Sequence, residues 1–268
     1  VYDYDHLIWA ADLKTFYRIL NLAGMDSQIV HKTEVEKQRI LSSKGAESVF
    51  ILHLAVNRPP SYFKEKGGEH LFFTPSRQGL GDTNRKHREQ FIDDFERIPR
   101  AEIIEWLERY CELNTYEISI PVLKDPELAP PGKTGLIISF LAEYDLFSKI
   151  RSAGWIDEFI TELENRVLSV ISDSVYPMLK SKIISHFSFT PLSIEKRVGS
   201  SEGAITGWAF KKSMPVINKI QFSDRSVLTP IPSVYQAGQW AYSPAGVPMS
   251  ILTGKLAADR ALKSILKK

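Results

Sequence analysis

The sequence predicts a mixed α and β protein, and three patterns carry that reading. Runs rich in β-branched and aromatic residues, such as Ser48 to Val56 and Leu136 to Tyr144, read as strands. Trp155, Phe159, Leu163, Val167, Ile171 and Val175 recur at intervals of four, which makes one apolar stripe on a helix. Finally, Ser226 to Gly254 contains no Asp, Glu, Lys, Arg or His, although 25% of the chain is charged.

Taken in order, His6 to Ala11 is apolar and strand-like, and Asp12 stands as the N-cap of a helix carrying Leu13, Phe16, Tyr17, Ile19 and Leu20. Gln28 to Ser43 is a polar helix. The strand Ser48 to Val56 is ended by Pro59 and Pro60, and Glu69 to Phe73 is a second strand before a loop over 74–84. Two amphipathic helices, Lys86 to Pro99 and Arg100 to Leu113, are separated by Pro99. Strands follow at Tyr116 to Val122 and Leu136 to Tyr144, with the loop Asp125 to Gly135 between them. The long helix from Trp155 is charged on its other face by Glu158, Glu162, Glu164 and Arg166, which marks it as core-facing rather than lipid-facing. Strand-like runs resume at Ile183 to Phe187, around Ile205 to Trp208 and at Ser233 to Gln239, and a helix runs from Pro248 to about Leu266.

Composition excludes several functions. With 34 basic and 32 acidic residues there is no basic field of the kind nucleic acid requires, so no nucleic-acid partner is expected. The single cysteine, Cys111, forbids an intrachain disulfide and reads as a small buried hydrophobe, which favours a reducing, cytoplasmic compartment. The six histidines lack ligand spacing, so no metal site is expected. G-x-S-x-G and Walker patterns are absent. The opening Val1 to Asp5 lacks the basic start and apolar run of a signal peptide, and the chain reads as a piece of a longer protein.

The uncharged stretch is too interrupted to span a membrane, because Pro230, Pro232, Pro244 and Pro248 with Gly238 and Gly246 break any long helix. A buried strand, a Pro/Gly turn and a helix starting at Val247-Pro248 fit it. An uncharged, glycine-bearing approach to a helix N-terminus leaves backbone N–H groups and a partial positive charge available to an electron-rich ligand edge. An ordinary core connection would have the same pattern, and residue chemistry alone leaves both readings open.

The segment Tyr235-Gln-Ala-Gly-Gln-Trp-Ala-Tyr-Ser-Pro-Ala-Gly-Val-Pro-Met-Ser-Ile-Leu-Thr-Gly-Lys-Leu-Ala-Ala258 resembles the carboxy-terminal flavin motif of the phytoene dehydrogenase-like proteins, which include carotenoid desaturases and isomerases and retinol saturases. Further segments agree in order. Thr190-Pro191 with Glu195, Gly199, Gly203 and Gly207-Trp208 is similar to the family's upstream Thr-Pro stretch. Ile118 to Val122 with Asp125 to Gly132 resembles its strand and loop, and Asp5 to Asp12 resembles the strand leading into its substrate domain. The dinucleotide-binding G-x-G-x-x-G fingerprint is absent; the lone Gly79-Leu80-Gly81 sits in a polar loop. Ala241, Tyr242 and Ser243 stand where the family commonly has a basic or His residue.

The resemblance implies an α+β fold with a largely antiparallel substrate-domain sheet flanked by helices, plus the last strand and helix of an FAD-binding domain. Residues 1–12 would lead from a missing FAD-binding half, 13–225 would form the substrate domain and 226–268 the flavin strand-turn-helix. Gly238, Gln239, Pro244, Ala245, Gly246, Val247 and Pro248 would line the cofactor FAD, with Gly254 and Ala257 as close helix-packing positions. The activity implied is hydride transfer between flavin and a carbon–carbon bond of an apolar polyene or isoprenoid, without a named catalytic side chain. This chain alone would not retain FAD; it needs its missing amino-terminal segment as partner, and an apolar substrate allows peripheral contact with membrane. Two rival readings remain: a non-catalytic binding module like the GDP-dissociation inhibitors, and a flavin amine oxidase whose aromatic pair would be Trp240 and Tyr242.

Overall fold

A computed structural model of the chain describes residues 4–79, 81–210 and 214–266, with the backbone alone for 82–87. In chain order the elements are β1 (Leu7–Trp9), α1 (Leu13–Ile19), α2 (Ser27–Ser42), β2 (Ser48–Val56), α3 (Pro60–Gly67), β3 (His70–Phe73), α4 (Gly81–Asp93) and α5 (Arg100–Leu113). There follow β4 (Tyr116–Ser119), β5 (Thr134–Ala142), α6 (Tyr144–Ser152), α7 (Ile156–Ser174), β6 (Ile183–Phe189), α8 (Pro191–Val198), β7 (Val234–Gln236) and α9 (Val247–Ile265). They form two compact units, Val1–Ser48 with Ile194–Lys268, and Val49–Ser193. Residues 13–48 and 194–225, expected within the substrate domain, thus pack with the chain's terminal segments instead. Residues 1–3 of the expected leading segment and Leu80 lie outside the described residues.

The continuous unit is built on a five-stranded sheet in the order β3-β4-β5-β2-β6. Antiparallel ladders pair β2 with β6, β3 with β4 and β4 with β5, as in Leu54 opposite His186 and Ile118 opposite Ile138. Alternation along β2 and β5 is strict: Phe50, Leu52, Leu54 and Val56, with Leu136, Ile138, Phe140 and Ala142, are all buried. A sheet with one face packed and one face open produces this period of two. The packed face meets Leu107 and Cys111 of α5 and Phe159, Leu163, Val167 and Ile171 of α7, the same stripe at intervals of four that the sequence displays. Burying these side chains contributes on the order of 2 kcal/mol each.

The discontinuous unit holds a two-stranded parallel sheet in which Ile8 of β1 pairs with Tyr235 of β7. Asp12 explains why the chain's two ends join. Its carboxylate accepts the Thr15 N–H at 2.7 Å as the N-cap of α1, and also the Ser201 N–H at 2.8 Å and the Ser201 hydroxyl at 3.0 Å. Next to it Lys14, 3% exposed, is ion-paired with Glu202, whose other oxygen accepts the Gly45 N–H. The apolar core here comprises Leu13, Phe16, Tyr17, Ile40, Trp208 and Trp240. Burial pushes the Tyr17 phenol well above its ordinary range.

Several local expectations change. The run at 205–208 is reduced to an isolated bridge between Gly45 and Trp208, and the loop over 74–84 gives way to α4 at Gly81. β7 stops at Gln236 rather than Gln239, because Gly238 turns the backbone to φ 84°. Ala257 is fully buried as expected, whereas a Cβ at Gly254 would meet nothing within 4 Å, so Gly254 is not a close-packing position.

Candidate functional site

The seven residues expected from the sequence to line a cofactor fall in one continuous segment after β7: five in the turn, Gly238 to Gly246, and two, Val247 and Pro248, at the start of α9. The Ala237 N–H donates to Trp9 O at 2.9 Å, and the Gly238 N–H donates to the Thr253 hydroxyl at 3.0 Å, tying the end of β7 to both its neighbours. Thr253 is fully buried and its hydroxyl reaches Met249 O at 2.9 Å, so one side chain fixes the spacing of turn and helix. Gly238 must be glycine-like: its φ is 84°, and a Cβ would sit 3.4 Å from Ala10 O. Gly246 lies at φ 138° and ψ 169°, a region that only glycine populates readily, and the nearest atom to a Cβ placed there would be Pro248 Cδ, 3.9 Å away.

α9 therefore opens behind a glycine with open space before it. No side chain caps it, no acidic residue lies in its first turn, and Pro occupies its start. The N–H groups of Val247 and Met249 have no intrahelical acceptor. The positive end of the helix dipole thus faces a surface made of Pro244, Ala245, Gly246, Val247 and Pro248, of which Val247 is 74% exposed. Gln239 differs from these: its side-chain amide donates to Ala204 O at 3.4 Å, leaving its backbone to shape the turn.

Two residues outside the expected set hold this turn from behind. A Cβ at Gly207 would overlap the Gln239 carbonyl oxygen, and Gly207 itself has φ 74°. The Trp208 indole N–H donates to Trp240 O at 2.9 Å, and the two rings meet edge-on at 4.7 Å. Residues 207 and 208 are clamped in turn, since the Ala46 N–H donates to Gly207 O at 2.7 Å and the Ala209 N–H to Lys44 O at 3.0 Å. The Gly-Trp pair stands out in the sequence, but its contact with Gln239 and Trp240 is long-range. Trp240 and Tyr242 are buried, 3% and 5% exposed, so they do not present the aromatic pair that the amine oxidase reading requires.

The continuous unit carries a second feature, which the sequence patterns did not bring out. On the open face of its sheet lies a trough of about 430 Å³ floored by His53, Ala55, Gly135, Ile137, Ser185 and Phe187 and edged by Leu128. The His53 ring stacks on Phe187 at 4.7 Å and meets Phe189 edge-on at 5.6 Å. Desolvation there lowers the His53 pKa below its ordinary value, which favours the neutral ring, and among the described residues no other titratable side chain lines the trough. A signal for it exists in the sequence. Ile51, Ala55, Ile137 and Leu141 occupy alternate strand positions that a solvated face would give to polar residues. Cys111, by contrast, is buried and its thiol is pushed up to about 12 by desolvation, which removes it as a nucleophile.

Known proteins resemble the chain over most of its length. The 4,4'-diapophytoene desaturases (4,4'-diaponeurosporene-forming) of Staphylococcus aureus strains Newman, USA300 and NCTC 8325 / PS 47 are each 27% identical to the chain over 188 residues. The chain is thus similar to known carotenoid desaturases. The matched stretch is 69% of this chain and 35% of those proteins, so the chain spans about a third of the length of the curated relatives it matches. No protein-family model matches it. An oxidoreductase from Methanosarcina mazei superposes over 100% of the chain and 44% of its own, at 12% identity and a TM-score of 0.42. Among the described residues no helix is long and apolar enough to cross a membrane.

Proposed function

We propose that this chain is part of an FAD-dependent oxidoreductase that acts on carbon–carbon bonds of an apolar, polyene-like substrate. The observation that carries the reading is the uncharged turn from Gly238 to Pro248, which ends at an uncapped, outward-facing helix N-terminus. When bound, FAD supplies hydride transfer to or from the substrate carbon. Gly246 lets a flat ring approach the backbone, and the Val247 and Met249 N–H groups are placed to stabilise negative charge on that ring's edge. Absence of carboxylates from 226–254 removes the repulsion such charge would otherwise meet. Thr253, Gly207 and Trp208 keep the turn in register. The uncharged trough over His53 and Phe187 suits a long hydrocarbon, which it would bury largely through the hydrophobic effect.

Two parallel strands make a small layer, since parallel sheets are normally larger and covered on both faces. The pyrophosphate-binding part of an FAD site is accordingly assigned to a segment outside 1–268, adding strands beside β1, where Ile8 is 40% exposed. The test is the visible spectrum of the longest natural form of the protein, purified beside this chain. Flavin absorbance in the long form and none in the short form supports the reading. A colourless long form that FAD cannot reconstitute overturns it and favours a binding module of the same fold.

A further inference from the structure

α9 packs on its own unit through one face, where Thr253, Ala257 and Ala261 are buried and the two alanines join a small core with Val227, Tyr235 and Ala237. A solvated opposite face would be polar. Here it carries Val247, Ile251, Leu262 and Ile265, all more than half exposed, with Gly254 and Ala258 between the two pairs. At 3.6 residues per turn these six positions fall within about 80° of one another, a single seam along the side of the helix. Their order is palindromic: large, large, small, small, large, large. Reversed about a point between residues 256 and 257, Ile251 falls on Leu262, and Val247 and Gly254 fall within one residue of Ile265 and Ala258. The middle of the seam is its lowest part, because a Cβ at Gly254 would meet nothing within 4 Å. Lys255 and Asp259, paired with each other at 2.6 Å, flank that low part on one side.

We propose that this seam is a homodimer interface, in which α9 packs antiparallel against α9 of a second copy across a two-fold axis near residue 256. A two-fold interface must be complementary to its own reverse, and a palindromic seam meets that condition. Gly254 of each copy then lies against Ala258 of the other, which lets the helices approach closely, and the outer pairs fill the two ends. Along the flank, Lys255 of each copy comes beside Asp259 of the other, so the four charges sum to zero and opposite signs adjoin. Covering the seam on both copies removes on the order of 1,000 Å² from water, the lower limit for a specific interface. A helix of different sequence would be an equally good cover for the apolar side chains, but it places no palindromic demand on α9. The seam shares only Val247 with the candidate flavin turn, since the free N–H groups point off the end of the helix; the inference does not depend on flavin.

The experiment is sedimentation velocity over a micromolar concentration series, on the longest natural form of the protein and on the 268-residue chain beside it. Two variants are compared, Ile251→Lys, which puts a charge into the seam, and Gly254→Leu, which fills its low middle. Expected is a concentration-dependent dimer of both forms, weakened at least tenfold by either change, with circular dichroism unchanged. Gly254→Leu is the sharper of the two: leucine is the better helix former and has open space in the single chain, so a merely structural role for Gly254 predicts no loss. Orientation is read by mild oxidation of Lys255→Cys and Leu262→Cys. In the antiparallel pair the two 255 positions stand about 4 Å apart along the helix axis and the two 262 positions about 17 Å, so only Lys255→Cys forms an interchain disulfide. A monomer at every concentration overturns the assignment, as does a dimer that both folded variants leave unchanged, or equal cross-linking at 255 and 262. A dimer of the 268-residue chain alone, with a monomeric longer form, assigns the seam to the additional segment and also overturns it. If Ile251→Lys misfolds, Gly254→Leu and the cross-linking pair decide.

Discussion

Replacing Gly207 by Ala isolates what holds the candidate flavin turn in place. At φ 74° an alanine costs about 1 kcal/mol for its backbone conformation alone. Its Cβ would also overlap Gln239 O and lie 3.1 Å from the Gln239 carbonyl carbon, both backbone atoms that cannot rotate away. Relief requires segments 207–208 and 239–240 to separate, which stretches the 2.9 Å bond from the Trp208 indole to Trp240 O and the 2.7 Å bond from Ala46 to Gly207. Each bond contributes about 1 kcal/mol. The total is roughly 3 kcal/mol. Gly199→Ala is the matched control, in the same unit, at φ 72°, with nothing within 4 Å of its Cβ, so it should cost only the conformational part. Hydrogen exchange over 204–210 and 234–242 reads the difference locally, and urea unfolding followed by tryptophan fluorescence gives its size. Equal costs at the two glycines would refute the claim that close approach of residue 207 positions the turn.

Other expectations follow from the trough and the core. Phe187→Asp, at a position 56% exposed and so tolerated by the fold, should weaken binding of a fluorescent linear polyene at least tenfold; unchanged affinity in a fluorescence titration would remove the trough as a hydrocarbon site. The same titration across pH tests His53. Because its folded pKa is lowered from 6.5, charging is resisted, so affinity should hold down to pH 6.5 and be lost only as pH falls through the lower folded value. Cys111 should resist thiol reagents in the native chain and react once in urea, and rapid native labelling would contradict its burial. With its folded pKa raised from 9.0 to about 12, it contributes stability that is fully present below pH 9.0 and is lost as pH climbs toward 12, measurable as a falling urea midpoint.

What the sequence revealed depended on range. Period-two and period-four patterns are local, so β2, β5 and α7 lie within a few residues of their expected bounds: the stripe from Trp155 to Val175 corresponds to the helix Ile156–Ser174. The turn at 238–248 was legible because Pro, Gly and missing charge act on their own backbone. Domain boundaries were not, since they hang on contacts such as Asp12 to Ser201, 189 residues apart. The same holds for Gly207, whose need for glycine comes from Gln239, and for Trp240 and Tyr242, aromatic residues whose burial no local pattern announces. The trough is a different case: its apolar residues alternate visibly along β2 and β5, but an apolar residue on an open sheet face has the same sequence signature as one in a core.

The central claim is that Gly246 and the bare N-terminus of α9 receive a flavin. The most direct measurement is FAD content, by absorbance and by equilibrium dialysis, of the longest natural form of the protein and of its Gly246→Ala variant. Gly246 sits at φ 138° and ψ 169°, and a Cβ there would meet only Pro248 Cδ, at 3.9 Å, so alanine strains the backbone at the turn without a clash. The account predicts stoichiometric FAD in the parent protein and affinity at least tenfold weaker in the folded variant. FAD bound equally by both, or by neither after reconstitution, would contradict it.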